Sequence, residues 1–118
     1  MIRMTIALTR QAHMSSSEFQ DYWLNEHGEL VKSLAEALGI KRYVQTHAIV
    51  PENFKDEKYN RPPYDGLAEV WYYSYDDFLA HIKSDAGKKS ALLLREDELK
   101  FAQTELSLTW WSNQHQIV

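Results

Sequence analysis

The amino-acid sequence predicts an α+β fold in which one four-stranded antiparallel sheet carries its helices on a single face. Three observations support this. Four segments alternate apolar and polar residues with the period of two expected of strands; capping signatures open the helices between them; and the order reads β-α-β-β-α-β. At 118 residues, with 44% hydrophobic and 13% aromatic residues, the chain supports one domain, residues 1–118, and no second.

In the first strand, Ile2, Met4, Ile6 and Leu8 alternate with Arg3, Thr5, Ala7 and Thr9, so one face belongs to the core. The long segment from Met14 to Leu38 follows. Its residues Phe19, Tyr22, Trp23, Leu30, Val31, Leu34 and Leu38 recur at the i, i+3, i+4 spacing of one helical stripe, and His27 falls inside that stripe. Ser15 and Glu18 form a capping box and Met14 and Phe19 a hydrophobic staple, which starts the helix at Ser16. Gly39 ends it. Gly28, beside the histidine, weakens the helix by about 1 kcal/mol relative to Ala, and is there for close packing, for ligand access, or for neither.

The run from Ile40 to Val50 alternates again, with Ile40, Val44, Ala48 and Val50 on one side and Tyr43, Gln45, His47 and Ile49 on the other. From Pro51 to Gly66 the pattern stops, and all three prolines fall there. A loop of this length is expected to be a lid or binding segment. Strand three, LAEVWYY, sets Glu69, Trp71 and Tyr73 against Ala68, Val70 and Tyr72. Ser74 with Asp77, and Tyr73 with Phe78, open a helix running to about Lys83. A further helix from about Lys88 to Ala102 carries Ala91, Leu94 and Phe101. The last strand, within ELSLTWWSN, alternates Leu106, Leu108 and Trp110 against Ser107, Thr109 and Trp111. This is the split βαβ, or ferredoxin-like, arrangement.

A sheet covered on one face normally shows polar residues on the other. Here Tyr43, Ile49, Trp71, Tyr73 and Trp111 oppose the aliphatic rows, a patch that soluble monomers rarely leave in water. A second copy packed sheet to sheet, making a dimeric α+β barrel, would cover it. A homodimer is therefore expected.

Composition excludes several chemistries. With no cysteine there are no disulfides, thiolate nucleophiles or cysteine-held metals. No HExxH or facial-triad spacing appears, so no metal is expected, and scattered glycines make no phosphate loop. A net charge of −4 without a basic block argues against nucleic acid. No apolar run is long enough for a membrane, and no signal segment precedes the first strand, which predicts a cytoplasmic protein. Acid–base chemistry by His, Tyr and Glu in an aromatic-lined pocket is what remains.

The segments MSSSEFQDYWLNEHGELV, GIKRYVQTH, YDGLAEVWYYSYDDF and EDELKFAQTELS, in this order and spacing, resemble the EthD-like family of dimeric α+β barrel proteins. The resemblance covers nearly the whole chain. It implies a ferredoxin-like barrel and, for activity, chemistry related to an ether-degradation component that works with an oxygenase, a muconolactone methylisomerase, or dehydratases and decarboxylases of aromatic polyketide biosynthesis. Related barrels include cofactor-free monooxygenases and polyketide cyclases. The histidine of the family's YWxxxH segment falls on His27, and the tyrosine and histidine of its RYVQxH strand fall on Tyr43 and His47. Its Asp-Gly falls on Asp65 and Gly66, and its strand-three acidic residue on Glu69. The loop from Pro51 to Pro63 and the pair Trp110 and Trp111 depart from the pattern.

The expected catalytic set is thus His27 as general base, with Tyr43 and His47 holding a developing enolate oxygen. Tyr22, Trp23, Asp65, Glu69 and Trp71 are the expected substrate-binding residues. Burial should hold the His27 pKa below about 6.5 unless a carboxylate such as Glu69 is near. His13, His81 and His115 have no assigned role. The expected function is a cofactor-independent lyase or isomerase moving protons on a small hydrophobic aromatic, lactone or polyketide-like molecule. The alternatives are a cofactor-free oxidoreductase or an oxygenase's accessory component, and a non-catalytic binding protein.

Overall fold

Local chemistry sets each element of the computed structural model, which describes residues 1–51 and 62–118. Strand β1 covers Ile2–Leu8. Helix α1, Ser16–Asp21, opens on the Ser15–Glu18 capping box. The chain then widens into a π-helical stretch, Tyr22–His27, before helix α2, Gly28–Leu38, which Gly39 closes at φ 70°. The expected single helix is therefore continuous in direction but not in winding. Strands β2 and β3 follow at Ile40–His47 and Gly66–Tyr72. Ser74 caps α3, Tyr75–Lys83, and Ser84 caps α4, Asp85–Phe101, so the last helix begins three residues before the expected Lys88. A 3₁₀ turn, Thr104–Leu106, leads into β4, Leu108–Ser112. Among the described residues no helix is long and apolar enough to cross a membrane.

The strands form one antiparallel sheet in the order β2-β3-β1-β4. Met4 opposite Val70 and Ile6 opposite Ala68 face the helices. Against them pack Phe19, Trp23 and Phe101, all fully buried, with Leu8 and Ala102 closing the cluster. Burial of aromatic side chains of this size dominates such a core.

Which residues share a face differs from expectation on two strands, for identifiable reasons. The ladder of β2 on β3 slips between Ile40 and Arg42, a β-bulge at Lys41. An extra residue reverses the alternation. Ile40, Tyr43, Gln45 and His47 thereby all turn toward the helices, and Val44 turns away. On β4, Trp111 pairs with Met4 on the helix side and packs on Tyr72 and Phe78, while Leu108 and Trp110 lie on the open face. The open face is therefore mixed: Val44, Leu67, Trp71, Leu108 and Trp110 share it with Arg3, Arg42 and Glu69. Arg3 bonds Glu69 at 2.6 Å, and the Arg42 guanidinium lies 4.5 Å over the Trp71 ring.

Candidate functional site

Between the sheet and the helices lies a cavity of about 260 Å³ walled mainly by apolar side chains. His27 reaches it from the π-helical stretch, Tyr43 from β2, Tyr72 from β3, and Arg95 and Glu98 from α4. Short π-helical turns often sit at functional sites, because the widened turn re-aims side chains and loosens backbone carbonyls. Here the Trp23 carbonyl accepts both the Gly28 N–H and the Gln45 side-chain amide, the latter at 2.8 Å.

The polar groups beside the cavity gather around His27, which is 4% exposed. Its Nδ1 lies 2.8 Å from the Asp97 carboxylate, and Tyr22 donates its hydroxyl to the other Asp97 oxygen at 2.6 Å. Lys100 approaches the same carboxylate at 3.6 Å. An imidazole that gives its Nδ1 hydrogen to a carboxylate keeps its lone pair on Nε2. Among the described residues, Nε2 has no hydrogen-bond partner. The ring packs on Phe101 at 4.8 Å.

The ionisation states follow from these surroundings. Burial lowers the His27 pKa, and the bond to Asp97 opposes but does not cancel that effect. Burial pushes the Asp97 pKa up, yet the bonds from Tyr22 and His27 and the nearby charges of His27 and Lys100 together bring it below the ordinary value. Tyr22 is pushed up to about 12 by burial and by its carboxylate partner, so it stays a donor. Burial also raises Tyr43, whose oxygen accepts from Gln45 at 3.1 Å. Burial raises Glu98 as well, with Asp97 adding to the shift and Arg95 opposing it.

The expected site residues separate into groups. His27, Tyr43 and Trp23 meet at the cavity, and Tyr22 joins them through Asp97. His47 is not in the cavity wall. It stacks under Trp23 at 4.4 Å and bonds Gln45 at 2.8 Å, which connects it to Tyr43 only indirectly. Asp65 binds the Arg10 amide at 2.8 Å and pins the ends of β1 and β3. Glu69 and Trp71 lie on the opposite face of the sheet, so the carboxylate beside His27 is Asp97 and not Glu69. The expected lid falls mostly on residues 52–61, outside the described residues.

Asp97 and Glu98 were missed from sequence. A visible trace existed for Glu98, which stands four residues after Leu94 and three before Phe101 on the stripe that faces the sheet. For Asp97 there was none, because its pairing with His27 spans 70 residues. Among the described residues no cluster of three or more His, Asp or Glu is placed to hold a metal ion.

A ferredoxin-like α+β protein with a histidine–carboxylate pair beside a largely apolar cavity is the class these features define. Residues 11–105 match the EthD domain family, and the chain belongs to it. It is similar to a decarboxylase from Cryptosporiopsis sp., 26% identical over 111 residues covering 89% of this chain and 74% of that one. A decarboxylase from Passalora fulva is 27% identical over 110 residues, covering 88% and 70%. Among solved structures, an EthD family protein from Bacillus halodurans has a TM-score of 0.64 at 21% identity, with 98% and 100% of the two chains covered. A cofactor-independent oxygenase from Streptomyces nogalater has a TM-score of 0.57 at 13% identity, covering 99% and 95%. A dimeric ferredoxin-like protein of unknown function from Bacteroides fragilis has 0.60 at 7%, covering 96% and 95%. At these identities the structural likenesses establish the fold alone.

Proposed function

We propose that the protein is a cofactor-independent acid–base enzyme of lyase type, acting on a one- or two-ring carbonyl-bearing aromatic, lactone or polyketide-like molecule. The carrying observation is the His27–Asp97 pair beside the cavity, with Nδ1 bound and Nε2 left as the basic nitrogen. His27 takes a proton from carbon or a phenol, and Tyr43 donates to the oxygen on which negative charge develops. At about 260 Å³ the cavity exceeds the roughly 150 Å³ that admits benzene and falls just short of the ~300–1,000 Å³ of drug-sized sites, which supports a small ring system. Two relatives named decarboxylases favour bond cleavage after charge has built up on that oxygen. The protein works as a homodimer in this reading, supported by the exposed apolar groups on the open sheet face and by a dimeric neighbour.

The test is a panel of one- and two-ring keto acids, hydroxyaryl acids and lactones, with products identified by mass spectrometry and both carbon dioxide release and oxygen uptake followed. Turnover without oxygen uptake, falling about 10²- to 10⁴-fold in His27→Gln, is the expected result. Oxygen uptake with a dihydroxyarene would favour the oxygenase alternative. Ligands bound and recovered unchanged would reduce the protein to a binder.

A further inference from the structure

Helix α4 presents Ala91, Leu94, Glu98 and Phe101 to the cavity at helical spacing, so a carboxyl group occupies a position that packing alone would give to an apolar residue. A carboxylate there is costly unless it is neutralised or used. Facing it, Tyr43 comes from β2, Tyr72 from β3, His27 from the π-helical stretch, and Arg95 and Asp97 from its own helix, while β1 and α3 contribute only apolar side chains to the cavity. Arg95 is exposed and makes no ion pair with Glu98 within 4 Å among the described residues. Burial favours the protonated carboxyl, which can donate an O–H. Tyr43 lines the same cavity as Glu98, and because its oxygen accepts from Gln45 its own hydrogen stays available for a ligand.

We propose that Glu98 and Tyr43 form a two-donor oxyanion site in the wall of the cavity that His27 also lines, an assignment that rests on the acid–base reading above. In the step it serves, the C–H bond beside a substrate carbonyl breaks and the proton goes to His27 Nε2. The electron pair moves onto the carbonyl oxygen, and the resulting enolate oxygen is held by the Tyr43 hydroxyl and the protonated Glu98 carboxyl. Nothing is oxidised or reduced. A tyrosine paired with a carboxyl kept neutral by an apolar site is an effective donor pair for such charge. A ligand filling the cavity excludes water and so pushes the Glu98 pKa further in the direction that burial already drives it.

A binding experiment isolates this role from turnover. 2-Naphthol is a two-ring phenol whose oxygen stands for the enolate oxygen, and its fluorescence reports binding. Titrations would compare wild type with Glu98→Ala, Glu98→Gln, Tyr43→Phe and His27→Gln over a range of pH below the phenol's own ionisation. Wild type should bind, and weaken as rising pH ionises Glu98. Glu98→Ala should lose about tenfold in affinity together with that pH dependence, while Glu98→Gln, which keeps an N–H donor, should bind nearly as wild type and lose only the pH dependence. Should Glu98→Ala fold poorly, the Glu98→Gln profile decides alone. A pH profile in Glu98→Gln identical to wild type, with Tyr43→Phe still weakened, overturns the role of Glu98 and leaves the cavity reading standing. No binding by wild type, or binding that no cavity variant alters, overturns both.

Discussion

In the proposed reaction, Asp97 decides what kind of base His27 is. Its bond fixes the hydrogen on Nδ1, and its charge partly offsets the burial that disfavours the imidazolium. Asp97→Asn removes the charge, so the acidic limb of the pH–rate profile should move to lower pH. The limiting rate should fall by about 10²-fold or more as the ring loses its fixed tautomer. Tyr22→Phe, which only frees one Asp97 oxygen, should produce a smaller loss and no new basic group. The same groups make stability depend on pH. His27 has a depressed folded pKa, so its neutral form stabilises the fold fully above the unfolded value of about 6.5, and that contribution is lost as pH falls below it. Asp97 is also depressed, so its contribution persists above the unfolded carboxylate value and disappears at lower pH still. Melting temperatures of wild type and His27→Gln across this range should converge on the acid side. A gap that widens instead would contradict the assignment.

Two glycines beside the long helix should respond oppositely to alanine, and the contrast tests how its elements pack. A Cβ on Gly66 would lie 2.5 Å from Trp23 Cζ3 and 2.8 Å from the Thr46 carbonyl, so Gly66→Ala should cost about 1–3 kcal/mol. At Gly28 the nearest atoms would be 3.5 Å away, ordinary contact within a helix, and Gly28→Ala should gain about 0.5–1 kcal/mol. Thermal melts separate the two, since each kcal/mol shifts a domain of this size by about 3–6 °C. The elements themselves were legible because their ends carry local chemistry: Ser15 with Glu18, Gly39, and Ser74 with Asp77. The π-helical winding and the bulge at Lys41 were not, because each is an irregularity imposed by tertiary packing on a sequence whose local pattern runs on unbroken. That bulge also puts Tyr43 on the helix side of the sheet, opposite to its expected face, and keeps it in company with His47.

For the whole molecule, the question is what covers the open sheet face. Trp110 and Leu108 stand 46% and 54% exposed beside the Arg3–Glu69 pair, a mixture suited to an interface with an apolar centre and a charged margin. Trp110→Glu places a charge in that centre. The expected outcome is wild type at twice 13.9 kDa by light scattering and the variant at 13.9 kDa with its helical signal intact. A wild-type monomer at micromolar concentration would end the dimer proposal. That both faces of the sheet carry bulky apolar groups is legible in the sequence. Which residues fill each was not, since a one-residue slip exchanges the rows.

The strand order leaves β2 and β4 at the edges, and the two are defended differently against adding a foreign strand. Strand β2 carries the bulge together with Lys41 and Arg42, which discourage pairing. Strand β4, LTWWS, is rich in β-formers and has neither charge nor proline. Its protection must come from what surrounds it, so a variant locked as a monomer is expected to precipitate on warming sooner than its melting temperature alone implies.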